Sequence, residues 1–260
     1  MSTPTATRLS ARLRRPDGGI ALVPYLMAGD PDDRTTRELG KRFAAAGVGA
    51  IELGVPYSDP LADGPVIQRA GRRALDAGAT VETCLETAAD IAAEQGAPVV
   101  LMTYVNPVLH YGPERFAADA AQAGVAGVIV PDLPVEEAAP VAPALRAAGL
   151  DTVFLVAPTS SAPRVAAACA ASTGFVYCVT VTGITGSRSA LPADVTGLLD
   201  RVRAATALPV AAGFGISRPD QLTALRGHAD AAVVGSAIVG RIEQGDDPSA
   251  LVKELLSACR

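Results

Sequence analysis

Apolar residues along this chain come in short unbroken runs separated by longer stretches of mixed character. The runs lie at 20–26, 50–55, 98–104, 126–131, 152–157, 175–179, 209–213 and 231–234, and hold mainly Val, Ile, Leu and Ala. A strand with one wet face alternates apolar and polar residues. One covered on both faces does not, so these runs read as strands of a buried parallel sheet. The spacing between them predicts helices over 33–46, 81–95, 113–123, 135–148, 162–171, 194–205 and 218–226, with a last one near 248–258. Asp32, Thr80, Pro113, Pro134 with Glu136 and Glu137, and Pro219 after Ser217 supply helix-start signals. Three helix-to-strand passages share one phrase: AAAGVGAIELG (44–54), QAGVAGVIVPD (122–132) and RAAGLDTVFLVAP (146–158). Each closes a helix with a glycine, which tolerates the left-handed conformation found there. Eight such β-then-α units with no linker-like break predict an α/β protein built as a single (β/α)8 TIM barrel. Residues 1–18 are expected to form an arm carrying a short covering helix, and 19–260 the barrel. A doubly wound open sheet is the alternative, but PYLMAGDPD after the first strand is not a dinucleotide-binding fingerprint.

One residue breaks the apolar pattern. Glu52 stands inside the second run, in IELGVPYSDPLADGPV (51–66). An isolated carboxylate in an apolar interior costs on the order of several kcal/mol, so such groups are paired, protonated or turned to a cavity. Functional side chains of a barrel gather at the C-terminal ends of the strands, and Glu52 lies near that end. A structural ion pair is one reading, but no Lys or Arg lies nearby in the sequence. A catalytic carboxylate with raised proton affinity is the favoured one. Asp63, in the long loop that follows, is either a second functional carboxylate or a loop cap.

Glycine clusters mark the other side of the same face. TVTGITGSRS (180–189), AAGFGIS (211–217) and VVGSAIV (233–239) follow the last three strands, and a short apolar helix is predicted from Ser236. Open N–H groups at such a helix start favour an anion, and the loops after strands seven and eight are the usual phosphate position in a barrel. Tight strand–helix packing would also use glycine. Together these features suggest a phosphorylated small substrate held at Gly186, Gly215, Gly235 and Ser236, its reacting end toward Glu52. Composition then removes other chemistries. The formal charge of −5 is spread along the chain, which argues against a dedicated nucleic-acid surface. Cys84, Cys169, Cys178 and Cys259 form no C-x-x-C pair, and with only His110 and His228 beside them no metal site is expected. Reduced thiols, no membrane-length apolar run and an N-terminus without a secretion-signal core point to a cytoplasmic protein. No thiol or lysine stands out as a nucleophile. Acid–base chemistry on a phosphorylated carbon skeleton remains: isomerisation, dehydration or aldol-type cleavage.

The stretch IELGVPYSDPLADGPVIQRA closely resembles the signature of the tryptophan synthase alpha subunit family. VPYLMAGDPD (23–32), LMTYVNPVLHYG (101–112), VPDLPVEE (130–137), TGITG (182–186), GFGIS (213–217) and GSAIV (235–239) follow in matching order, so the likeness runs from about residue 8 to 258. Ser187 and His110 depart from the usual pattern without touching the central motif. The resemblance implies cleavage of indole-3-glycerol phosphate to indole and glyceraldehyde 3-phosphate in tryptophan biosynthesis. It implies Glu52 and Asp63 as catalytic residues, with Tyr177 positioned beside the glutamate. Phe214 and Gly215 would line the substrate, and Tyr25, Met102, Ile129 and Leu155 would wall an indole pocket. Thr185 would order a lid, and Asp59, Asn106 and Pro107 would face a partner beta subunit in an alpha2-beta2 complex. Pyridoxal phosphate is expected in that partner alone, and no cofactor in this chain. A free-standing lyase that releases indole without a partner is the closest alternative. A purely regulatory subunit would lack Glu52 or Asp63, and a phosphosugar isomerase would show a paired acid–base site at strands one and five.

Overall fold

A computed structural model of the chain describes residues 6–15, 17–179, 195–213 and 215–260. Its strands are β1 (Ala21–Met27), β2 (Ile51–Gly54), β3 (Val99–Met102), β4 (Val125–Ile129), β5 (Asp151–Val153), β6 (Leu155–Val156), β7 (Val176–Val179), β8 (Val210–Gly213) and β9 (Ala231–Val234). All pairings are parallel, in the order β5-β4-β3-β2-β1-β9-β8-β7-β6. The two ends of that order are halves of one run, separated by Phe154 alone, with β5 bonded to β4 and β6 to β7. At the break, the Phe154 N–H donates to Ser172 Oγ (3.1 Å) and its carbonyl accepts from the Tyr177 N–H (3.1 Å). The expected strand 152–157 is therefore a bent stave that shifts its bonding from one neighbour to the other. It draws the sheet into a nearly closed parallel barrel of the TIM type.

The missing alternation has a plain cause. Tyr25, Met27, Val100, Met102, Tyr177, Ala211 and Val233 fill the barrel interior, while Leu22, Leu26, Ile51, Leu53, Leu101 and Cys178 pack outward against helices. Both sets are buried, and each fully buried Leu or Ile contributes about 1.5–3 kcal/mol. The helix Arg8–Leu13 closes the N-terminal end, capped by Thr7 and Ser10 bonding reciprocally to each other's backbone N–H (3.1 and 2.8 Å). Leu9 and Leu13 are wholly buried in the interior cluster. A Cβ on Gly174 would come within 2.8 Å of Leu9 Cδ2, so glycine there makes room for the plug.

Most expected helices form near their expected bounds, with three differences. The span 135–148 is a 3-10 turn, Val135–Glu137, followed by a helix Ala142–Ala147. Pro140 lies between them, lacking the N–H that a continuous helix needs. A short helix Val105–Tyr111 follows β3. The long loop after β2 contains a helix, Pro65–Asp76, with proline at its first position and Ile67, Ala70, Gly71 and Ala74 buried along one stripe. That helix packs on β1 and on the helix Ser236–Glu243, which makes it the roof over one side of the barrel mouth.

Candidate active site

Glu52 projects inward from β2, level with Tyr25 on β1 and Val100 on β3. It is 1% exposed, and its Oε2 has no hydrogen-bond partner among the described residues. Burial, and secondarily the charge of Asp63, pushes its carboxyl up to about 8. A carboxyl in that position holds its proton at neutral pH.

Asp63 reaches the same space from the loop ahead of the roof helix. Its N–H donates to the Pro60 carbonyl (3.1 Å), and Gln68 Nε2 donates to its carbonyl (2.9 Å). Burial raises its carboxyl to about 6, opposed by a hydrogen bond from the Tyr104 hydroxyl. That hydroxyl also accepts the Ala62 N–H (3.0 Å), and the Tyr104 ring leans on Tyr57 with centroids 5.2 Å apart. Asn106 Nδ2 donates to the Tyr57 hydroxyl (2.9 Å), and Asp132 accepts the Val105 N–H (2.9 Å). The Asp63 loop is thus braced by the loops after β3 and β4.

Tyr25 and Tyr177 complete the inner wall. A Cβ on Gly54 would overlap the Tyr25 hydroxyl, and one on Gly213 the Tyr177 hydroxyl, so each ring needs the glycine beside it. Burial, followed by the nearby carboxylates, holds both phenols well above their ordinary value. Across the mouth, the helix Ser236–Glu243 starts at Gly235 without a side-chain cap, and its first internal bond comes from the Ile238 N–H (2.9 Å). The N–H groups of its first turn suit an anion.

These groups meet in a cleft of about 450 Å³ lined by Tyr25, Glu52, Asp63, Gly64, Ile67, Met102, Tyr177, Gly215, Val233, Gly235 and Ser236. Ile129 does not line it, although it is the register partner of Met102 and is buried in the interior cluster. Leu155 faces a second cavity, of about 870 Å³, between residues 131–136 and 157–164. Asp59 and Asn106 are exposed outside the cleft and Pro107 is half-buried there. Thr185, Gly186 and Phe214 lie outside the described residues. Gly64, Ile67, Val233 and Tyr104 were not singled out from sequence. Pro65 followed by apolar residues at helical spacing was the available sign for Ile67, and the polar-tipped aromatic ending the third run was the sign for Tyr104. Among the described residues no His, Cys, Asp and Glu cluster could hold a metal, and no helix is long and apolar enough to cross a membrane.

A parallel barrel that brings two carboxyls of different proton affinity to the C-terminal ends of its strands, opposite an open helix N-terminus, is a TIM-barrel enzyme of the acid–base type. The model of the tryptophan synthase alpha chain family matches residues 12–260. The tryptophan synthase alpha chain of Solibacter usitatus is 51% identical over 240 residues, covering 92% of this chain and 90% of its own. That of Microcystis aeruginosa is 46% identical over 257 residues, covering 98% and 97%. A solved tryptophan synthase of Mycobacterium tuberculosis superposes with a TM-score of 0.92 at 39% identity, over 98% of this chain and 99% of that one. The chain belongs to the tryptophan synthase alpha chain family.

Proposed function

We propose that Glu52 carries the proton transfers and Asp63 the charge stabilisation of the alpha reaction, the cleavage of indole-3-glycerol phosphate to indole and glyceraldehyde 3-phosphate in tryptophan synthesis. The protein is a carbon–carbon lyase, and the observation that carries this division is the pair of proton affinities in one cleft, about 8 and about 6. At neutral pH this ordering leaves Glu52 mainly protonated and Asp63 mainly ionised. Protonated Glu52 delivers its proton to C3 of the indole ring, which turns the ring into an electron sink. Glu52, now a carboxylate, takes the proton from the glycerol hydroxyl next to the ring as the C–C bond breaks. The bonding electrons return to the ring, indole leaves, and the hydroxyl carbon becomes the aldehyde. Ionised Asp63 accepts the indole N–H and stabilises the positive charge that develops on the ring. Tyr177 positions Glu52, and Tyr25 and Met102 flank the ring. Gly215, Gly235 and Ser236 take the phosphate; the roles expected from sequence for Gly186 and Phe214 fall outside the described residues.

The proposal extends to a partner. Leu61 is 94% exposed and Leu109 45% exposed, the two large apolar side chains left bare among the described residues. Leu61 shares its loop with Asp59, and Leu109 its short helix with Asn106 and Pro107, which supports a docking face for a pyridoxal-phosphate beta chain in an alpha2-beta2 complex. The lid role expected from sequence for Thr185 falls outside the described residues, and a cytoplasmic location belongs to the same reading. The test is indole release from indole-3-glycerol phosphate by this chain alone and with a beta chain added. Slow release that the partner accelerates strongly is expected. Fast release without a partner would make the chain a free-standing lyase, and none in either case would refute the proposed chemistry.

A further inference from the structure

One ion network ties the roof helix to the loop after β1 and to the helix Ser236–Glu243. Arg73 donates from Nε and Nη2 to both carboxylate oxygens of Asp30 (2.7 and 3.0 Å), a side chain 1% exposed in the loop after β1. Its Nη1 donates to Glu243 Oε1 (2.8 Å), and Arg69, one turn earlier, donates to both Glu243 oxygens (2.7 Å each). Glu243 is the last residue of the helix that begins at Ser236, and Arg69 and Arg73 belong to the helix that begins two residues after Asp63. Two short rods are therefore joined by forked contacts. Such contacts fix orientation as well as separation, and a network of this kind outlasts an isolated surface pair. The two guanidinium groups hold the Glu243 carboxyl down to about 2.

We infer that Glu243, gripped by Arg69 and Arg73, is a positioning residue for the cleavage reaction, setting Asp63 and the roof residue Ile67 against the Ser236 end of the cleft. The inference rests on the roles proposed above for Asp63 and Ser236. It concerns placement and not charge at the reacting atoms, because Glu243 does not line the cleft. Arg73→Ala would strand the buried Asp30 carboxylate and damage the fold, so the informative substitution is Glu243→Gln. That change keeps the side chain's shape and leaves the Arg73–Asp30 pair intact.

The full chain is assayed for indole release, with the thermal midpoint measured on the same samples. Glu243→Gln is expected to lower kcat about tenfold while KM changes less than about threefold, since a small misplacement acts mainly on the reacting geometry. The midpoint should stay within about 2 °C, as for a partly exposed ion pair. Added to Asp63→Asn, the substitution should cause little further loss. A kcat within twofold of the parent, an equal fractional loss in the Asp63→Asn background, or a midpoint that falls along with both kinetic constants would each overturn the inference. Near-normal turnover by Asp63→Asn alone would remove the premise and the inference with it, an outcome separable from anything Glu243→Gln alone can produce.

Discussion

Glu52→Gln should make this protein more stable while abolishing its reaction, and the gain should depend on pH in a defined way. Glutamine is nearly the shape of the protonated carboxyl that the buried site already holds, so the folded states differ little. The difference lies in the unfolded chain, where Glu52 ionises at its ordinary value of 4.5 while the folded group titrates at about 8. Between those values the folded state binds the proton and the unfolded state has lost it, so the wild type loses stability as pH rises through this window. Each unit of the window is worth about 1.4 kcal/mol. The gain of the glutamine variant is therefore close to zero at pH 4, about 3 kcal/mol at pH 7 and about 5 kcal/mol at pH 9. For a chain of 260 residues, about 3 kcal/mol raises the melting midpoint by about 6 °C. Thermal or urea unfolding of both proteins at pH 4, 7 and 9, with indole release measured beside it, tests the reasoning. A stability difference that stays flat across pH, or reverses sign at pH 7, would show that the buried carboxyl is not held protonated. Retained turnover would take Glu52 out of the proton transfer.

The remaining expectations concern the other members of the site. Asp63→Asn keeps the loop geometry but loses the negative charge, so kcat should fall about 100- to 1000-fold while substrate binding, followed by calorimetry, persists; retention of most activity would leave Asp63 as a loop cap. The wild-type pH profile of kcat/KM should be bell-shaped, rising as Asp63 ionises near 6 and falling as Glu52 loses its proton near 8. Tyr104→Phe removes the hydroxyl that lowers the Asp63 carboxyl, so the acid limb should move upward and the bell narrow, whereas an unmoved limb would dismiss the Tyr104 contact. Gly54→Ala places a methyl on the Tyr25 hydroxyl, which should cost about 1–3 kcal/mol in thermal unfolding and raise KM as the ring is pushed into the cleft.

The legible parts of the fold and site are those where a physical rule is kept or visibly broken over several residues. Unbroken apolar runs such as 20–26 and Val99–Met102 could be read because both faces of those strands are buried. Glu52 could be read for the opposite reason, since a charge in such a run needs a function or a partner. The roof helix Pro65–Asp76 was hidden because DPLADGP ahead of it looks like successive turns, although its apolar residues already keep helical spacing. Pro140 should have split the helix expected over 135–148, and its missing N–H gave the warning. The bend at Phe154 had no local sign, because a strand that changes bonding partners keeps the same apolar composition on either side.

Site geometry is harder to read than site chemistry, and the glycines show why. In sequence, Gly54 and Gly213 each look like a strand ending or a turn. In register, each removes a Cβ beneath a tyrosine hydroxyl, opening the space in which Tyr25 and Tyr177 stand beside Glu52. The same dependence on neighbours separates Met102 from Ile129: the two are register partners, both buried and facing the barrel interior, yet only Met102 borders the cleft. What a residue can do is written in its side chain, but whether it borders the cleft depends on the space its neighbours leave around it. In this barrel a strand and the loop after it bring together a carboxyl made reluctant to ionise by burial and another kept more acidic by a tyrosine, which is the asymmetry that a proton donor working beside an ionised hydrogen-bond acceptor requires.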